Sequence, residues 1–179
     1  CSWPVLPGFP LISQLESQKY VETIGTLLKN IDYSTHFIYG GNADFDNMKG
    51  FFRSHGFDKF YGREIFSDET FSTSWGVSDE ALFNKSLEIL KKEPAPFLSV
   101  ILTISNHPPY LYPEDASFKR VDSNENEVAR LNAFKYSDWA LGEFMFEVKK
   151  LPLYNRTIFV ILGDHGFIAD EFDQNRSIE

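Results

Sequence analysis

The chain has 179 residues, 42% of them hydrophobic and 16% aromatic, which is enough for one domain with a core and excludes disorder throughout. Its formal net charge of −9 repels nucleic-acid backbones and anionic lipid, so neither is a default partner. An anionic substrate is compatible with that charge where a metal ion or local donors offset it.

Residues 1–15 hold Pro4, Pro7, Gly8 and Pro10 and read as a loop. They lack the basic and apolar regions of a signal peptide. No apolar run reaches the roughly 18 residues that a membrane span needs. A chain that starts without Met and stops at 173-DQNRSIE-179 reads as an excised piece, with an anchor or leader expected outside it. The single cysteine, Cys1, cannot form an intrachain disulfide.

Helical spacing of Val21, Ile24, Leu27 and Leu28 predicts a helix over 18–30. The run 34-STHFIYGG-41 predicts a strand closed by two glycines. A helix over 44–57 is expected next, with an Asp cap and Gly56 at its end. A short strand or extended link follows at 57–62, then a turn-rich stretch at 67–76. Ser78 is placed to cap a helix over 79–92. The segment 97-FLSVILTIS-105 is the strongest strand and, apolar almost throughout, is expected to be buried on both faces. A loop over 106–123 leads to a long helix near 125–149, and 157-TIFVIL-162 predicts a last buried strand. Strands alternating with helices give an α/β fold with a mainly parallel sheet flanked by helices.

In open α/β sheets, ligands bind beyond the C-terminal ends of the strands. The strand ends here carry Tyr39-Gly40-Gly41-Asn42, Ser105-Asn106-His107 and Gly163-Asp164-His165-Gly166. Asp164 and His165 offer a carboxylate and an imidazole, which suit a divalent ion. The other reading is that Asp164 caps a turn and His165 packs on it. His107 precedes Pro108 and Pro109, whose stiffness would hold its imidazole toward a bound anion. The alternative is a loop histidine with a satisfied hydrogen bond. His36 and His55 read as structural or surface residues. Asp138 falls on the apolar stripe formed by Leu131, Phe134, Leu141, Met145 and Val148, so it is expected to be buried unless the helix is rotated.

The segments 38-IYGGNADFDNMKGFF-52, 75-WGVSDEALF-83, 101-ILTISNHPPYLYPE-114, 135-KYSDWALGEF-144 and 157-TIFVILGDHG-166 together resemble one family. It is the lipoteichoic acid synthase and phosphoglycerol transferase group of sulfatase-like enzymes, in the alkaline phosphatase superfamily. The resemblance covers nearly the whole chain. It implies an alkaline phosphatase-like fold, incomplete here: a single partial sulfatase-like catalytic domain over 1–179. It also implies a parent anchored in the cytoplasmic membrane through segments outside this chain, with its catalytic domain periplasmic or extracellular.

The resemblance further implies phosphoglycerol transfer from a lipid donor through a threonine intermediate, on a lipid-linked or small anionic ester. The ion expected is manganese, with zinc, magnesium or calcium as alternatives. Asp164 and His165 match the family's Asp-His metal pair, and His107 matches its phosphate-contacting histidine. Tyr39, Asn42, Asp46 and Asn47 are candidates to line the substrate pocket. The family's early Glu and its nucleophilic Thr have no counterpart in the chain. Tyr39, Asp46 and Met48 stand where the lipoteichoic acid synthases carry His, Trp and Arg, which implies an altered pocket. Two rival readings remain: a fragment that is non-catalytic, and a metal-dependent phosphodiesterase or sulfatase.

Overall fold

The apolar run 34–39 forms strand β1 (Ser34–Tyr39), the middle strand of a parallel sheet in the computed structural model, which describes residues 21–122 and 128–164. On one side β1 pairs with β2 (Lys59–Tyr61), matching Phe37 to Phe60. On the other it pairs with β3 (Phe97–Leu102), matching Ser34 to Phe97 and Tyr39 to Leu102. Among the described residues four α-helices accompany these strands: α1 (Ile24–Lys29), α2 (Met48–Ser54), α3 (Asp79–Leu90) and α4 (Val128–Val148).

Side chains alternate across a strand, so β1 serves two cores at once. Phe37 and Tyr39 join Met48, Phe57, Phe60 and Ile104 on the face covered by α2. The rings of Phe37 and Phe52 stack at 3.8 Å and those of Phe37 and Phe60 at 5.2 Å. Ile38 faces the other way, onto Val77 and Leu82. Beyond it α3 packs on α4 through Phe83, Leu87, Ala140 and Phe144. Each fully buried aliphatic side chain here contributes about 1.5–3 kcal/mol.

His36 lies on the same face of β1 and is fully buried. Its Nε2 lies 2.9 Å from Glu93 Oε1, and Glu93 also accepts from Ser34 Oγ at 2.6 Å and Lys59 Nζ at 3.2 Å. Burial holds the His36 imidazole below its ordinary pKa, against the pull of Glu93. The Glu93 carboxyl also sits below its usual value; burial opposes this, but the Ser34, His36 and Lys59 hydrogen bonds outweigh it. A neutral imidazole donating to an ionised carboxylate satisfies both directions. His55 is buried too, stacked on Phe51 with ring centroids 4.3 Å apart.

Several sequence expectations are corrected. Of the helix expected over 18–30, residues 18–20 lie outside the described residues; among those described it begins at Ile24, because Thr23 and Thr26 form a reciprocal capping box that fixes its start. The helix expected over 44–57 is a 3-10 turn at Phe45–Asn47 followed by α2, since Asp46 and Asn47 adopt φ of 48° and 57°. The third strand ends at Leu102 and is half-buried along its length, because it lies at the sheet edge.

The long helix is rotated from the expected stripe. Asn132, Ala133, Tyr136, Ala140, Phe144 and Val148 face inward, while Leu131, Phe134 and Asp138 are exposed. Small residues at 133 and 140 suit the face that meets other elements closely. The largest correction concerns 157–162, which forms no strand. Ile158 is 91% exposed and Leu162 76% exposed, while Phe159 packs beside Tyr154 near the α3–α4 core. An apolar run becomes a strand only where a neighbouring strand accepts its ladder, and none among the described residues does so.

Candidate active site at the strand ends

Three loops meet beyond the C-terminal ends of β1 and β3. The first is the glycine turn after Tyr39. A Cβ on Gly41 would stand 2.3 Å from the Trp75 carbonyl oxygen, so no larger residue fits between these loops. The second loop, residues 71–78, lies against that turn: Val77 N donates to Gly40 O at 3.1 Å. Gly76 has φ +146° and also touches Gly40. The third loop runs from Thr103 to Tyr110. His107 N donates to Ile104 O at 3.2 Å and Tyr110 N to His107 O at 2.8 Å, so His107 sits within two consecutive turns. Tyr110, just past the two prolines, adopts φ +61°.

Trp75 joins the three. Its indole stacks on the His107 imidazole at 4.3 Å, and its Nε1 donates to Pro108 O at 2.8 Å. Its ring also meets Phe45 edge-on at 6.0 Å. Phe71, Thr73, Gly76, Ile104 and His107 line a narrow crevice beside it, too tight to admit a water-sized group. One flank is therefore aromatic, with an imidazole held in a fixed plane.

The candidate residues occupy unequal places. Tyr39 is only 3% exposed and lies under the glycine turn; burial, with Asp46 adding to it, raises its phenol above the ordinary pKa. Asn42 is exposed, and its Oδ1 accepts from Asp44 N at 2.9 Å, an Asx turn that shapes the loop. Asp46 and Asn47 are exposed in left-handed conformations on the same loop. Such conformations are sparsely populated and concentrate at functional sites. His107 is half-buried against Trp75.

Asp164 is exposed at the end of the 157–164 segment, and His165 lies outside the described residues. Carboxylate and imidazole are the right donor types for a divalent ion. Two donors fall short of the four or more that such ions take. Among the described residues no group of three His, Cys, Asp or Glu side chains stands together. The described residues therefore do not make a complete metal site.

Two residues escaped the sequence reading. Trp75 lies in a turn-rich stretch with no periodicity; it falls within a segment that carries the family resemblance, but nothing there pointed to a role at the site. Asp79 is wholly buried at the start of α3. Its Oδ1 accepts from Ile104 N at 3.0 Å and Ser105 N at 2.9 Å, and its Oδ2 from Ser137 Oγ at 2.8 Å. Asp79 N donates to Ser105 Oγ at 2.9 Å. In sequence it looked like any acid in a first helical turn. Tyr136 is equally buried and accepts from Glu80 N at 3.2 Å; burial pushes its phenol up to about 12.

A parallel sheet flanked by helices, with its polar residues gathered beyond the strand ends, defines an α/β protein. The chain belongs to the sulfatase family, whose model matches residues 9–177. It is 31% identical to a lipoteichoic acid synthase of Staphylococcus saprophyticus, over 82% of this chain and 23% of that protein. It is 29% identical to phosphoglycerol transferase I of Escherichia fergusonii, over 79% of this chain and 20% of that protein. A crystal structure of an alkaline phosphatase superfamily protein from Vibrio parahaemolyticus superposes with a TM-score of 0.71 at 43% identity, covering 84% of this chain and 37% of that one. The chain thus spans between a fifth and a quarter of these two curated relatives. Its fold is part of an alkaline phosphatase-like domain. No helix among the described residues is long and apolar enough to cross a membrane.

Proposed function

We propose that this chain is the C-terminal part of a catalytic domain that transfers phosphoglycerol from a lipid donor in the full-length protein. The observation that carries the reading is the convergence of the β1, 71–78 and β3 loops on His107, with Trp75 fixing the imidazole plane. Family membership and relatives named as lipoteichoic acid synthase and phosphoglycerol transferase support it.

A threonine from sequence preceding residue 1 attacks phosphorus. Its Oγ–P bond forms as the P–O bond to the glycerolipid breaks, and the proton lost by the threonine hydroxyl ends on the leaving lipid oxygen. An acceptor hydroxyl then attacks the same phosphorus; the new P–O bond forms, the threonine bond breaks, and the acceptor's proton restores the threonine hydroxyl. His107 donates a hydrogen bond to a phosphoryl oxygen and holds the group in line for both displacements. Asn42, Asp46 and Asn47 border the glycerol moiety, and Tyr39 supports the turn beneath them. The residues of this chain that would hold a divalent ion, manganese first, are Asp164 and His165. When bound, such an ion offsets the charge of the ester, which matters in a chain of net charge −9. The same reading places the domain outside the cytoplasmic membrane, anchored through segments beyond this chain.

The test pairs manganese and zinc calorimetry with turnover of a chromogenic glycerol phosphodiester and a sulfate ester, in full-length protein and in the 179-residue chain. Micromolar metal binding lost in His165→Ala, with phosphodiester turnover lost in His107→Ala, is the expected result. Turnover of the sulfate ester alone would overturn phosphoglycerol transfer in favour of a sulfatase. Absence of metal binding in both forms would remove Asp164 and His165 from the site.

A further inference from the structure

We infer that Asp79 is the positioning residue that sets the place of His107, an assignment that rests on His107 contacting the transferred group. β3 ends at Leu102, and its ladder of backbone hydrogen bonds ends with it. The amides of Ile104 and Ser105, two and three residues on, are donors that must find an acceptor in a buried setting. One oxygen of Asp79 takes both, at 3.0 and 2.9 Å. Ile104 is also the residue whose carbonyl receives the His107 amide. The carboxyl group therefore pins the first residue of the turn that ends on His107.

The reach of α3 into this loop is double. Asp79 N bonds the Ser105 hydroxyl while the Asp79 side chain holds the amides, so Ser105 is gripped from both directions. Four residues earlier, Trp75 stacks on the His107 ring and bonds Pro108 O. The segment 75–79 thus clasps the 104–108 loop at two points, and Val77 N ties the same segment to the Gly40 turn of β1. Ser137 of α4 donates to the second Asp79 oxygen and fixes its rotation. An acid that served only the helix dipole would sit in solvent at the helix end. Asp79 is instead wholly buried, and its oxygens reach the 104–105 amides and α4.

The experiment reads the His107 ring directly. With histidine labelled in the full-length protein, the His107 ring protons carry a ring-current shift from Trp75, 4.3 Å away. Asp79→Ala is expected to move those resonances toward solvent-exposed values and to weaken binding of glycerol phosphate, used as the probe, by about tenfold, the scale at which outer partners of a ligand-binding imidazole act. Asp79→Asn keeps an acceptor for the two amides and is expected to retain both signals. If Asp79→Ala does not fold, Ser137→Ala, which removes only the second oxygen's partner, is expected to broaden the same resonances. A lowered melting temperature with His107 shifts and probe affinity unchanged would overturn the assignment and leave Asp79 a purely structural residue. If His107→Ala binds the probe as well as the parent does, the role of His107 fails instead, while the ring shifts still decide the role of Asp79.

Discussion

Gly76→Ala tests the convergence of the loops at its tightest point. Gly76 has φ +146°, and a Cβ there would meet Gly40 O at 2.5 Å and Ile104 Cδ1 at 2.6 Å. Ile104 can shift its methyl group, but the Gly40 backbone cannot move without disturbing the end of β1. Holding an L-residue in such a conformation costs about 1–3 kcal/mol. Relief of the clash would break Val77 N to Gly40 O, worth about 1 kcal/mol net. The sum, roughly 2–4 kcal/mol, lowers the melting temperature by roughly 5–15 °C in a chain of this size. Differential scanning fluorimetry measures that shift, and titration with glycerol phosphate measures the accompanying loss of probe affinity. A melting temperature unchanged within error, with probe affinity intact, would refute the claim that these loops are held at contact distance.

Gly142 is the matched control: it lies within α4 with nothing within 4 Å of an added Cβ, so Gly142→Ala is expected to stabilise by about 0.4–1 kcal/mol, read from denaturant midpoints. Stability is also expected to fall with acid in two windows. Burial holds His36 below its ordinary value of 6.5, so the native state binds fewer protons than the unfolded chain, and its contribution is full above 6.5 and lost as pH falls toward the lowered value. Glu93, held below 4.5, adds a second loss below that pH, partly opposed by Glu80, whose carboxyl burial raises. Melting curves of His36→Gln, which keeps a donor for Glu93 but does not titrate, are expected to lose the upper window only.

The existence of β1, β3, α3 and the long helix was legible because each carries its own periodicity or apolar run. What failed were properties that depend on a neighbour. The run 157–162 has the composition of a buried strand, yet strand formation needs an edge to pair with, and composition does not encode that. The face of α4 was misassigned because Leu131 and Phe134 outweigh Ala133 and Ala140 on any hydrophobic count, although close approach favours the alanines. For the site, the place of His107 followed from the strand-end rule. Its contact with Trp75 did not, since that depends on two glycines, Gly41 and Gly76, letting separate loops touch. The burial of Asp79 was hidden for the same reason: its partners are backbone amides more than twenty residues away.

The sheet order also bears on how the protein assembles. β1 reaches β2 through the crossover that carries α2, pairing His36 with Lys59, but reaches β3 only by closing the longer span from Ser34 to Phe97. Loop-closure entropy makes the second pairing costlier by roughly 1 kcal/mol. The β1–β2 unit with α2 and its stacked phenylalanines is therefore the natural nucleus, and β3 docks afterwards with α3. The loops that hold Trp75, Asp79 and His107 come together only at that late step. Lesions there are expected to hasten unfolding more than they slow folding, so the part of the molecule assigned to chemistry is also the part whose kinetic persistence it governs.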